Sequence, residues 1–178
     1  GLLMCKVLNC DEKKALPHAI DLGIAMQLTN IARDILEDAN IGRRYLPKSW
    51  VGDITPEEIV KTAEKPDADL TNELSRGVEM LIALSDEYYE SGLSGSAYLP
   101  ARAHFAIGVA ALVYRKIGKR IVASNYAWHR GRQTTSLVEK ILTSTQVVPL
   151  FYERFKQKKA HRSELHLSLK GLPYVHLR

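Results

Sequence analysis

Four oxygen-bearing side chains recur at helical spacing early in the sequence: Gln27, Asn30, Asp34 and Asp38. At 100° per residue they fall within roughly 80° of arc, so on a helix they form one stripe. Apolar residues border this stripe, including Ile31 one position after Asn30. Carboxylates beside apolar residues are costly unless a partner neutralises their charge. The stripe therefore predicts a bound cation at the edge of a buried helix face.

Magnesium fits these residue types, because it binds one or two protein carboxylates together with phosphate and water oxygens. Asp34 and Asp38 lie one turn apart, and Asn30 offers a carbonyl oxygen one turn earlier. Arg33 should project away from the stripe. Positive charge for a diphosphate could come from three nearby arginines: Arg33, Arg43 and Arg44. A solvated helix face explains the D-x-x-x-D pair equally well, and spacing alone leaves both interpretations open.

The elements that must position these residues are helical. Apolar spacing predicts four long helices, at about 14–40, 69–89, 100–123 and 134–156. A shorter helix should begin at Thr55, which can cap its first turn, with Pro56 at the first helical position. No period-two alternation is long enough for a strand. The pattern predicts an all-α fold.

Length and composition are those of one globular domain: 178 residues, 46% hydrophobic and 25% charged. No apolar run approaches the roughly 20 residues of a transmembrane helix. The net charge of +5 favours anionic partners. We predict no nucleic-acid partner, because no basic motif is interleaved with aromatic residues, although a nucleic-acid binder is kept as an alternative. Two cysteines, Cys5 and Cys10, are too few for a disulfide framework and indicate a reducing compartment.

Several segments resemble the squalene/phytoene synthase family, and most of all its bacterial phytoene synthases. The second aspartate-rich motif of that family is closely similar to LGIAMQLTNIARDILEDANIGRRYLPKSW. Further similarity lies in GLLMCKVLNC, AHFAIGVAALVYRKIGKRI and AWHRGRQTTSLVEK, so that the resemblance extends from Gly1 to about Leu142. It implies an all-α, isoprenoid-synthase-type helical bundle with a central cavity. We expect residues 1–155 to be the C-terminal portion of one such domain and 156–178 to be a flexible basic tail.

The activity that the resemblance implies is that of a prenyltransferase in carotenoid biosynthesis. Two geranylgeranyl diphosphates would condense head to head, through a cyclopropyl diphosphate, to phytoene. The implied cofactor is Mg²⁺, with Mn²⁺ as a substitute, and no NADPH is expected because the reaction needs no reductant. Since substrate and product are lipids, we expect a cytoplasmic protein with peripheral contact to the inner face of the membrane.

The resemblance also assigns roles to residues by matching position. The implied metal ligands are Asn30, Asp34 and Asp38; the implied catalytic residues are Asp34, Asp38 and Tyr114; the implied substrate-binding residues are Gln27, Arg33, Tyr45 and Arg132. Without the resemblance, Tyr114 would pass for a core aromatic, Tyr45 for a loop residue and Arg132 for part of a surface charge cluster.

One family feature is missing from the sequence. The family has two aspartate-rich motifs on facing helices, and only the second is present here. We therefore expect an N-terminally truncated fragment that is inactive by itself. Two alternatives stay open: a dehydrosqualene or squalene synthase that uses farnesyl diphosphate, and a non-catalytic helical assembly protein on which the motif has decayed.

Overall fold

The computed structural model describes residues 12–132, 142, 145–152, 155 and 161–171. Those residues form helices and connecting segments, without a strand, which confirms the predicted all-α fold. The α-helices are α1 (Glu12–Arg33), α2 (Ile35–Asn40), α3 (Lys48–Val51), α4 (Pro56–Glu64), α5 (Ala68–Ser94), α6 (Ala101–Ala123) and α7 (Val147–Tyr152). Shorter 3₁₀ helices span Gly95–Tyr98, Trp128–Arg130 and Ser163–Leu169.

Helices α1 and α5 form the most extensive pair, and α6 packs against both. Their backbones approach closely near Gly92 of α5, where an added Cβ would lie only 2.8 Å from the backbone nitrogen of Leu22. At Gly95 an added Cβ would overlap the His18 side chain. Because glycine carries no Cβ, these two positions allow one end of α1 to lie directly against α5.

The buried apolar residues form two clusters along this pair. The first joins α2, α3, α4 and α5 and includes Ile35, Val51 and Leu74; the second joins α1, α5 and α6 and includes Ala25, Tyr89 and Ala111. Two partly buried residues, Leu28 and Tyr114, contact both clusters. The C-terminal half of α1 therefore lies where the two clusters meet, and it carries the predicted site.

Most helix boundaries follow the sequence prediction. Thr55 caps α4 in a capping box: its Oγ1 accepts the Glu58 N–H at 3.2 Å, and Glu58 Oε2 accepts the Thr55 N–H at 2.8 Å. The predicted helix over 14–40 is instead divided at Asp34, where φ is −105° and ψ is 21°. Backbone hydrogen bonds from Asp34 to Asn30 (2.9 Å) and from Asp38 to Asp34 (2.8 Å) continue across the division. The break is therefore a local distortion between two helices that stay aligned.

The C-terminal region differs from the expected flexible tail. In residues 161–171, the buried His166 and the backbone of Leu165 anchor the segment to the helices, with Tyr88 of α5 donating to the Leu165 carbonyl at 2.7 Å. Helix α7 lies within the predicted helix over 134–156, whose start at Thr134 or Thr135 falls outside the described residues. Both cysteines and the rest of the tail, at 156–160 and 172–178, also fall outside them.

In the part of the chain that the structure describes, no helix has the length and apolar character that a membrane crossing requires.

Candidate functional site

Arg33, the last residue of α1, forms a bidentate ion pair with the adjacent Asp34. Arg33 Nε and Nη2 donate to the two Asp34 carboxylate oxygens at 2.7 and 2.6 Å. Adjacent side chains on a regular helix do not face each other. The pair is possible because the backbone leaves helical geometry at Asp34. The expectation that Arg33 projects away from the stripe is therefore wrong.

A second arginine reaches the same carboxylate from a distant part of the chain. Arg132 lies just after the Trp128–Arg130 turn, and its Nε is 3.2 Å from Asp34 Oδ1. The Arg33 side chain is 10% exposed, whereas that of Arg132 is 53% exposed, so one arginine is enclosed and the other faces solvent. The structure thus brings together both arginines that the resemblance assigned to substrate.

Asn30 lies one turn before Asp34 and carries an oxygen in need of a partner. Its Oδ1 is buried and makes no hydrogen bond within the described residues. A buried polar atom without a partner costs about 1–3 kcal/mol, so native structures rarely leave one unused. The atom fits a ligand position for a cation, since an amide oxygen is a hard donor of the kind that Mg²⁺ accepts.

Glu37 has the same property and was missed by the sequence prediction. Its Oε2 is also buried without a hydrogen-bond partner among the described residues. The signal was available in the spacing: Glu37 follows Asp34 by three residues, so on a helix both carboxylates lie on the same side. Glu37 therefore belongs with the predicted carboxylates.

Asp38 completes the acidic group. Its pKa is raised above the ordinary value, first by burial and then by the negative charge of Asp34, while Arg43 opposes the rise. A carboxylate that is harder to ionise because of its neighbours gains from a nearby cation. Together with the amide oxygen of Asn30, the carboxylates supply the all-oxygen donor set that suits Mg²⁺.

The loop after α2 contributes a small pocket beside Asp38, which Arg43 and Tyr45 also line. Tyr45 is half exposed. Arg44 lines the same pocket, and its Nη1 donates to the carbonyl oxygens of Gly52 and Ile54, which fastens the loop. The expectation that Arg44 serves a diphosphate stays a prediction.

The two remaining predicted residues differ in burial. Gln27 is exposed on α1, three residues before Asn30. Tyr114 is partly buried on α6, contacts both apolar clusters, and is one of the groups that raise the pKa of Arg33, after Asp34. This position is compatible with a core aromatic and with a cavity tyrosine alike.

Comparison with known proteins gives this arrangement a family. Residues 1–139 match the family described as squalene/phytoene synthase. The chain belongs to the squalene/phytoene synthase family. The 15-cis-phytoene synthase of Enterobacter agglomerans is 42% identical over 142 residues, which is 79% of this chain and 46% of that protein. The phytoene synthase of Pseudescherichia vulneris is 43% identical over 144 residues, which is 79% of this chain and 44% of that protein.

A more distant relative, the phytoene synthase of Rhodobacter capsulatus, is 32% identical over 159 residues. The chain spans a little under half the length of these squalene/phytoene synthase relatives. No solved structure matches the chain. The whole of the described candidate site, from Gln27 to Arg132, falls within the residues that match the family.

Proposed function

We propose that the chain is part of a phytoene synthase. That enzyme would catalyse the Mg²⁺-dependent, head-to-head condensation of two geranylgeranyl diphosphates to phytoene, through a cyclopropyl diphosphate, in carotenoid biosynthesis. The relatives that are 42% and 43% identical carry the name phytoene synthase. The observation that supports the proposal best is the Asp34 carboxylate, held by two arginines, with the Asn30 oxygen one turn away, which has no hydrogen-bond partner in the described part of the chain.

The metal would be held by Asp34, Asp38 and Asn30, and Glu37, whose charge acts on Asp38, is a further candidate ligand. Bound there, Mg²⁺ supplies positive charge to the departing diphosphate. The two apolar clusters fix α1 and α2 in place, so the carboxylates on them have fixed positions. They would therefore orient the metal as well as balance its charge. The raised pKa of Asp38 fits this role, since a cation relieves the repulsion that raises it.

When substrate binds, Arg33 and Arg132 would both leave Asp34 and bind the diphosphate instead. In the structure, Arg33 donates to Asp34 and Arg132 forms an ion pair with it. A diphosphate carries more negative charge and more acceptor oxygens than one carboxylate, so it competes for both guanidinium groups. Moving them to the diphosphate frees Asp34 for the metal. Arg132 should move more readily, because its side chain is half exposed whereas that of Arg33 is enclosed.

Tyr114 would form part of the chamber wall. An allylic cation survives only where water is excluded, and Tyr114 lies between two apolar clusters while remaining close to Arg33. Its ring face carries partial negative charge that can stabilise a cation. The proposal includes a cytoplasmic protein with peripheral membrane contact, because substrate and product are lipids; co-sedimentation with anionic lipid vesicles tests this part.

A chimeric enzyme tests the proposed reaction without depending on the length of this chain. The 142 residues that match the Enterobacter agglomerans synthase would replace the corresponding stretch of that protein. With Mg²⁺ and both geranylgeranyl and farnesyl diphosphate on offer, we expect phytoene as the product, measured by chromatography. A folded chimera that makes only the farnesyl-derived product contradicts the substrate assignment. A folded chimera without any product contradicts the proposed function.

A further inference from the structure

A second group of potential metal ligands lies between α1 and the C-terminal segment, away from the site described above. Asp21 is fully buried in the first half of the helix. His161 and His166 approach it from the C-terminal segment: their Nε2 atoms lie 2.8 Å from Asp21 Oδ2 and 2.7 Å from Asp21 Oδ1. Thirteen residues separate Asp21 from Asp34, about 20 Å along the helix axis. The two groups are therefore separate sites.

The chemistry of this group, the Asp21 cluster, differs from that of the oxygen ligands Asn30, Asp34, Glu37 and Asp38, the Asp34 cluster. Two imidazoles and one carboxylate are a donor set for Zn²⁺ and similar transition-metal ions, whereas Mg²⁺ prefers oxygen ligands. The three ligand atoms all lie within 4.8 Å of one another. Zinc bonds of about 2.0–2.2 Å place tetrahedral ligands roughly 3.4 Å apart, so small side-chain shifts would let one ion bind all three.

The surroundings also fit a metal site with one open position. Asp21 and His166 are enclosed, with 0% and 3% of their side chains exposed, while His161 is 16% exposed. Water can therefore reach the fourth position from the side of His161. Ser91 of α5 donates to Asp21 Oδ2 at 2.6 Å and so orients the carboxylate from outside the ligand set. Metal-ligating carboxylates are typically held in this way.

We propose that Asp21, His161 and His166 bind one divalent transition-metal ion of the Zn²⁺ class, which fastens the C-terminal segment to α1. The segment at 161–171 lies beyond the residues that match the family, so the site is a property of this chain rather than of the proposed reaction. The bound ion links the segment directly to α1, and through Ser91 to α5. A metal-free cluster, held by hydrogen bonds alone, is the competing explanation.

Metal titration of the full 178-residue chain tests the proposal. Tag-free protein, stripped with a chelator, would be titrated with Co²⁺ as a spectroscopic probe and with Zn²⁺ as its competitor. We expect the visible absorption of tetrahedral Co²⁺ to saturate at one ion per chain and to disappear when Zn²⁺ displaces it. We also expect Zn²⁺, and not Mg²⁺, to raise Tm. Saturation without these bands, or no saturable binding, would overturn the proposal.

Glutamine variants separate metal binding from hydrogen bonding. His161→Gln and His166→Gln can still donate to Asp21 but ligate zinc poorly, so we expect each to weaken Zn²⁺ binding by more than 100-fold and to lose the Tm rise. Ser91→Ala removes only the outer partner, and should weaken binding by roughly 10–100-fold. His129→Gln is the matched control outside the cluster and should bind as the parent does. Equal Zn²⁺ affinity in the His129 and His161 variants would overturn the proposal even if the His166 variant does not fold.

Discussion

Two carboxylates, one within α1 and one just after its last residue, are held in opposite ways. Asp34 lies at a break in the helix, is 22% exposed, and faces two arginines. Asp21 lies within regular helix, is fully enclosed, and faces two histidines and a serine. Guanidinium groups can pass to a phosphate, whereas neutral imidazoles can share a transition metal. The partners, rather than the carboxylate, therefore determine which ligand each of the two positions can accept.

The largest expected effect is on the reaction. In the chimera, Asp34→Asn should lower the rate of phytoene formation by at least about 100-fold, because it removes charge that positions the metal and the arginines at the departing diphosphate. Product formation measured at saturating Mg²⁺ checks this. Asp53→Asn, which changes an exposed carboxylate paired with Lys48, is the control and should leave the rate unchanged. Equal rates in the two variants would contradict the role given to Asp34.

The next effect is on stability and concerns Asp21, within α1. In the metal-free chain, Asp21→Ala should lower the free energy of unfolding by about 3 kcal/mol, because two buried donors, Ser91 and His166, and the partly buried His161 lose their common acceptor. Asp53→Ala breaks an exposed pair and should change it by less than about 1 kcal/mol. Urea denaturation of both variants measures the difference. If both variants lose the same small amount, the buried cluster does not hold the fold together.

A smaller change in stability tests the close packing of α5 against α1 beside Asp21. Gly92→Ala should destabilise the chain by about 1–3 kcal/mol, since the new Cβ would meet the backbone of Leu22, which cannot move aside. Gly118→Ala is the matched change in α6, where the nearest atom, Cδ1 of Ile82, lies at 3.6 Å. It should stabilise by up to about 1 kcal/mol through helix propensity. Thermal denaturation should therefore show opposite signs for the two variants.

A pH dependence is expected where Tyr89 of α5 meets Thr29 of α1. Burial raises the pKa of Tyr89 to about 12, and its hydroxyl lies 3.1 Å from Thr29 Oγ1. The unfolded chain loses this proton near pH 10, whereas the folded chain keeps it until about pH 12. The contribution of Tyr89 to the free energy of unfolding is therefore complete below pH 10 and falls by about 1.4 kcal/mol per pH unit as the pH rises toward 12. Denaturation across this range, compared with Tyr89→Phe, checks it. A parallel decline in both proteins would show that Tyr89 is not responsible.

The fold and much of the Asp34 cluster were predictable from local sequence. Apolar spacing and the Thr55 capping box marked the helices, because both depend on neighbours within one or two turns. The stripe from Gln27 to Asp38 followed from the same spacing. The break at Asp34 did not, since no glycine or proline marks it. The family resemblance assigned Arg132 to the substrate, but its contact with Asp34 was not predicted, because no spacing rule joins residues so far apart.

The Asp21 cluster was beyond sequence reasoning for the same physical reason. Asp21 and His161 are 140 residues apart, and the charge-rich composition around His161 resembles a solvated tail. Only the packing of α1 against α5 creates the enclosed position at Asp21 that the histidines fill. Contacts of this kind depend on the completed tertiary structure, whereas helices and caps depend on the chain nearby.

The central claim is that the Asp34 cluster binds a magnesium–diphosphate group. Calorimetric titration of the chimera measures this binding directly. The ligand is an unreactive geranylgeranyl diphosphate analogue in which sulfur replaces the oxygen between C1 and the diphosphate. We predict binding that requires Mg²⁺, is lost in Asp34→Asn and is retained in Asp53→Asn. Binding that is equally tight without Mg²⁺, or that is unchanged by Asp34→Asn, would contradict the account.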